Sequence, residues 1–280
     1  MTMRFTVAVV LICLTGSGLA SELFGVNFPA TTPLFSLNQS SGTLTSIGPT
    51  SFADVADLTS DPQTGALWGV DSDTNELLTI NPHTGATSVA AQLDSPSPIV
   101  SIAFDPVTHR LYGNTALIFG TTNWDALYAI DPTSGSTTLK GPIGFAGVFA
   151  LGFDQDGRLF GISDFTKQLL SIDPATGAGV AMFRLNLNAA YDLASRPEDN
   201  ALLVADSTTN SLYTLNTADG RTSMIGGYGP TTNIVGLAFL MPSPEPITYF
   251  SLGLGLALLA RVWQRRRSPR NHCVRLTAIP

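Results

Sequence analysis

Five near-copies of one nonapeptide organise this chain. They are Leu34–Gly42 (LFSLNQSSG), Leu77–Gly85 (LLTINPHTG), Leu127–Gly135 (LYAIDPTSG), Leu169–Gly177 (LLSIDPATG) and Leu212–Gly220 (LYTLNTADG). Their leading leucines are 43, 50, 42 and 43 residues apart. Short strands that recur at a period in the low forties predict a propeller of roughly 40–45 residues per blade. The chain shows no long amphipathic helix pattern. Only 12% of its residues are charged, and Gly, Pro, Thr and Ser are plentiful, as in an all-β, turn-rich body.

The nonapeptide explains itself residue by residue. Its apolar opening, rich in Leu, Ile and Tyr, suits a strand packed on both faces, where strict alternation is not required. Asp-Pro or a variant then ends the strand, because proline presets φ and cannot donate to a ladder. The Asp or Asn side chain can bond its own downstream backbone and hold the turn. The final Gly supplies a positive φ at little steric cost. A short polar strand follows, as in Thr84–Val89 or Ser136–Leu139, and reads as an outer edge.

Two further strands precede each copy. The nearer set is Leu23–Val26, Leu67–Val70, Leu111–Asn114, Leu159–Ile162 and Leu202–Ala205. The farther set is Val55–Leu58, Val100–Phe104, Phe149–Phe153 and Tyr191–Ala194. Each unit therefore has four strands, the number in a propeller blade. The first unit lacks its opening strand, while Ile234–Phe239 is left over at the other end and closely matches Ile99–Phe104. A ring uses the spare strand to complete the first unit and so removes an exposed edge. The expectation is an all-β five-bladed propeller with four-stranded blades over residues 21–240; an open all-β repeat is the alternative. Blade spacing breaks once, around Ala116–Asn123 beside Trp124, where a surface loop is lengthened.

The ends differ from the body. All 21 acidic residues lie between Glu22 and Glu245, where only seven Lys/Arg occur, so this span carries −14. An acidic body with basic ends argues against nucleic acid and suits an exported domain with cytoplasmic ends. Both cysteines, Cys13 and Cys273, lie outside the body, so the expected core holds without a disulfide. Residues 1–20 read as a signal peptide, with Arg4, an apolar run and small residues before a cut between Ala20 and Ser21. Residues 241–246 form a Pro-rich linker. Residues 247–263 read as a single transmembrane helix and 264–280 as a basic cytoplasmic tail, with Arg265, Arg266 and Arg267 as the stop signal.

The ordered trio of Pro244-Glu245-Pro246, the apolar stretch Ile247–Trp263 and the arginines resembles the PEP-CTERM sorting domain of Gram-negative bacteria. The resemblance covers about 25 residues, and Ser268–Pro280 continue beyond the point where family members usually stop. It implies recognition and cleavage near the motif by an exosortase-type membrane protease. The body is similar to the WD40-like or DUF4394-type propellers often found with such tails.

Recognisable catalytic chemistry is missing from the sequence. His83 and His109 fill turns, His272 lies past the basic cluster, and no metal-ligand spacing emerges. Asp71-Ser-Asp73-Thr-Asn75 begins like a calcium loop, but Glu76 and Pro82 stand where an EF-hand needs Gly and Glu. The loops after the Leu-x-Gly strands carry Asn27, Asp71, Asp73, Asn75, Asn123, Asp125, Asp164, Asp206 and Asn210. On a ring they share one face and could bind calcium weakly or hydrogen-bond sugar hydroxyls; an ordinary solvated acidic face is the plainer reading. No cofactor is expected. The expected protein is a non-enzymatic cell-surface or extracellular-matrix protein whose partners are the sorting protease and, through the propeller, exopolysaccharide or another matrix protein. The alternatives are a secreted propeller enzyme of lactonase, lyase or glycosidase type, and a permanently anchored inner-membrane protein.

Overall fold

The structure is a computed structural model. It describes residues 20–27, 33–116, 125–229 and 232–241. The sequence-derived leader, most of the lengthened loop with Asn123, the Pro-rich linker, the apolar stretch and the basic tail lie outside these residues. Every regular element among the described residues is a strand.

Twenty strands form five sheets of four. Blade 1 contains β1 (Glu22–Asn27), β2 (Pro33–Leu37) and β3 (Leu44–Pro49). Blade 2 is β4 (Val55–Ser60), β5 (Leu67–Asp71), β6 (Glu76–Ile80) and β7 (Thr87–Gln92). Blade 3 is β8 (Ile99–Phe104), β9 (Leu111–Thr115), β10 (Ala126–Ile130) and β11 (Thr137–Pro142). Blade 4 is β12 (Val148–Phe153), β13 (Leu159–Ser163), β14 (Gln168–Ile172) and β15 (Gly179–Arg184). Blade 5 is β16 (Ala190–Ser195), β17 (Leu202–Asp206), β18 (Ser211–Leu215) and β19 (Thr222–Gly227). The last strand, β20 (Ile234–Leu240), pairs antiparallel with β1, with Glu22 opposite Leu240 and Asn27 opposite Ile234. It takes the innermost place in blade 1, so the ring closes as the spare strand predicts.

The nonapeptide turns behave as their chemistry dictates. The side chains of Asn38, Asn81, Asp131, Asp173 and Asn216 each accept the backbone N–H two residues on, at 2.8–2.9 Å. The closing glycines have φ between 71° and 77°. The structure adds a second reason for glycine at this position. Each fourth strand carries a bulge opposite the leading leucines, and the next blade's turn glycine packs against it. A Cβ on Gly177 would lie 2.6 Å from the Gly141 carbonyl oxygen, and one on Gly85 2.5 Å from that of Gly48. The repeat glycine is thus a blade-to-blade contact as well as a turn residue.

Buried side chains fill the wedges between blades. One cluster joins Phe24, Val26 and Ala238 of blade 1 to Val55, Leu58 and Leu67 of blade 2. Another joins Leu23, Leu37, Leu237 and Phe239 of blade 1 to Leu203, Ala205 and Leu212 of blade 5. The two seams made by β20 are therefore packed like the others. The fourth strands face solvent and expose Val89, Leu139, Val180 and Met224 along with polar side chains.

Candidate functional site

The five inner strands β4, β8, β12, β16 and β20 share one pattern. Each has a bulge at its second residue. A bulge re-aims the side chain beside it, and the third residue of each strand is Asp57, Ser101, Ala150, Asp192 and Gly236 in turn. Two of five equivalent positions in otherwise apolar strands thus carry carboxylates. Both are buried, with Asp57 0% and Asp192 1% exposed.

Burying two carboxylates is costly unless each is hydrogen-bonded. Asp57 Oδ1 accepts from Leu58 N at 2.6 Å, and its Oδ2 accepts from Ile102 N at 2.7 Å and Ser101 Oγ at 2.5 Å. Asp192 Oδ1 accepts from Leu193 N at 2.6 Å and its Oδ2 from Leu237 N. Asp57 therefore ties blade 2 to blade 3, and Asp192 ties blade 5 to blade 1. The two carboxyls also act on each other: Asp192 as a hydrogen-bonding partner lowers Asp57, while the charge of Asp57 raises Asp192. Burial pushes Asp57 up to about 7, against the pull of the hydrogen bonds from Asp192, Ser101, Ile102 and Leu58. Burial, and then the charge of Asp57, hold Asp192 well above the usual carboxylate range. The pair retains a proton where ordinary aspartates have lost theirs.

Below the pair, at the ends of the inner strands, lies an axial cavity of about 360 Å³. Its floor is Leu58, Ile102, Leu151, Leu193 and Leu237, the residues that follow the ring of third positions. Its walls include Phe104, Phe153 and Phe239, and its polar groups are Thr59, Ser60, His109, Gln155 and Ser195. His109 occupies the positive-φ position (59°) of the β8–β9 turn, as Gly65 does in the β4–β5 turn. The cavity thus has an apolar floor and a polar rim.

The loop residues singled out from sequence, apart from Asn123 outside the described residues, lie at the other ends of the inner strands. Several hold the loops themselves. Asp71 Oδ1 accepts from Thr74 N at 2.8 Å, and Asp206 Oδ1 accepts from Thr208 N and Thr209 N at 2.8 and 3.0 Å. Asp125 Oδ2 accepts from Val148 N at 2.7 Å, and Asn75 Oδ1 from Ile99 N at 3.0 Å. Asp164 pairs with Lys167 at 2.6 Å. Asn210, with its amide nitrogen turned to them, donates to the carbonyls of Ser207 and Thr232. Asn27 is half-buried and Asp73 is exposed. Among the described residues no three His, Cys, Asp or Glu side chains are grouped to hold a metal. Sequence reasoning missed Asp57 and Asp192; the signal available was their shared third place in the inner strands.

No family model matches the chain, and no curated protein matches it. Solved structures do. A chain of the nidogen/laminin complex is 11% identical, with a TM-score of 0.56 over 80% of this chain and 100% of that one. A structural genomics protein of unknown function from Bacteroides thetaiotaomicron is 13% identical, with a TM-score of 0.46 over 73% of this chain and 64% of that one. The first likeness bears on fold alone, and the fold is the β-propeller.

Proposed function

We propose that this is an exported cell-surface or matrix protein whose propeller is a non-enzymatic binding module, delivered by a PEP-CTERM-like cassette. The observation that carries the reading is the pairing of Glu22 with Leu240. It brings both ends of the ring, Ser21 and Met241, to the face that holds the axial cavity. A tether would join the body at that face, and the Asp and Asn loops lie on the other. Exopolysaccharide or another matrix protein is the partner class, and the protease that cuts near Glu245 is of exosortase type. The enzyme alternative is less favoured, because the axial carboxylates Asp57 and Asp192 are buried and hydrogen-bonded to backbone.

The test is the mass and location of an epitope-tagged body in a host with the sorting protease. Release of a body cut near Glu245, blocked by Glu245→Ala, supports the reading. An uncut membrane species unaffected by Glu245→Ala would make the tail a permanent anchor. Calorimetric titration of the released protein with the host's exopolysaccharide and with Ca²⁺ tests the face. Heat with neither would remove those ligands from the proposal.

A further inference from the structure

Ser21 is held more firmly than a residue leading into a strand requires. It is 4% exposed. Its backbone N–H and its Oγ–H both donate to the carboxylate of Glu198, the latter at 2.9 Å. Its carbonyl accepts from Gln39 Nε2 at 2.5 Å. Glu198 belongs to the β16–β17 turn of blade 5, and Ser21 precedes β1 of blade 1. These bonds therefore cross one of the two seams where the ring is closed. The preceding residue, Ala20, is exposed.

The Ala20–Ser21 bond is also the one that the leader pattern marks for cleavage. Its hydrolysis consumes one water, leaves a carboxylate on Ala20 and turns the Ser21 nitrogen into an α-ammonium. That nitrogen already sits on a carboxylate oxygen. A hydrogen bond between an ammonium and a carboxylate is roughly twice as strong as one between neutral groups. We propose that Glu198 is the receptor for the Ser21 α-ammonium released by leader removal, so that maturation tightens the seam between blades 5 and 1. This assignment rests on the reading of the protein as exported. Arg196, in the same turn, pairs with Asp199 at 2.6 Å and acts on Glu198 only through its charge, while Ser21 donates to Glu198 directly.

The experiment uses the full-length gene product. Intact mass and N-terminal sequencing of the exported protein should place its first residue at Ser21. Urea unfolding is then compared between exported protein and uncleaved chain made without export, in the same mild detergent, each with and without Glu198→Gln. Glutamine still accepts from a neutral N–H but offers nothing ionic to an ammonium. The substitution should lower the folding equilibrium about three- to tenfold in the cut protein and less than about twofold in the uncut one. Equal losses would make Glu198 an ordinary loop acceptor and overturn the proposal. A leader cut at another bond would overturn this assignment and leave export standing, whereas a retained leader would remove both. Should Glu198→Gln fail to fold, acylation of the α-amine in native cut wild-type protein, compared with urea-unfolded protein, replaces it. At least tenfold slower reaction when folded supports the receptor, and equal rates overturn it.

Discussion

The Asp57 and Asp192 carboxyls lie close enough to act on one another, although their blades are not neighbours. Blade 1 stands between them, and its inner strand contributes Gly236 at the equivalent position. The pair therefore brackets the strand that closes the ring. Burial holds both carboxyls above the usual range, so stability should depend on pH in a defined direction.

Folded Asp57 is raised to about 7 and Asp192 is raised well above the usual carboxylate range, against roughly 4 in an unfolded chain. A raised carboxyl contributes stability that is complete below its unfolded value and is lost as pH climbs through the folded one. Unfolding free energies from urea titrations should therefore fall as pH rises from about 4 to 7, by an amount on the order of a few kcal/mol at most. No other carboxylate or base among the described residues faces the pair. The acids on neighbouring strands, Glu22, Asp71 and Asp206, lie at strand ends. Asp192→Asn keeps a donor for Asp57 and should flatten the pH profile. An unchanged slope in this variant would show that the pair does not set the pH dependence.

Gly236 has a steric partner in the same arrangement. A Cβ there would lie 2.9 Å from Asp57 Cα and from Leu58 N, both backbone atoms that cannot move aside. Gly236→Ala should cost at least roughly the 1–3 kcal/mol that is typical of overpacking. The loss should appear as faster amide exchange in β20 and β1. Thermal melts and hydrogen exchange on the two proteins decide the point.

The turn glycines allow strain to be separated from close approach. Gly65 has φ of +69° and nothing within 4 Å of a Cβ, whereas Gly177 has φ of +77° and the Gly141 carbonyl oxygen 2.6 Å away. Gly65→Ala should cost only the positive-φ strain, about 1 kcal/mol. Gly177→Ala should cost at least about twice that, since the blade 3–blade 4 contact must open as well. Equal unfolding free energies for the two variants would mean that the blade contact contributes nothing.

Leu237, 2% exposed, lies in the cluster that joins blades 1 and 5. Leu237→Ala should cost about 2–5 kcal/mol by cavity formation. Removing Ile234–Leu240 altogether should abolish cooperative unfolding of the body, because β1 would lose its partner and the ring its closure. A truncated protein that melts like the full one would show the propeller to be stable as an open ring.

The sequence by itself determined the blade count, the four-strand unit, the Asx-held turns and the exchange of β20 into blade 1. All of these are local or periodic: strand, turn and glycine recur at a fixed spacing, and a spare strand at one end matches a gap at the other. Only the tertiary structure decided what lies on the axis. Asp57 and Asp192 look like ordinary polar residues until five bulged inner strands bring their third positions to one level. There the low-dielectric interior holds both carboxyls above the usual range. Tertiary structure likewise set backbone N–H groups against the oxygens of Asp71, Asp125 and Asp206. It also set Glu198, 177 residues away in sequence, against Ser21, since ring closure alone brings the first strand beside the last blade.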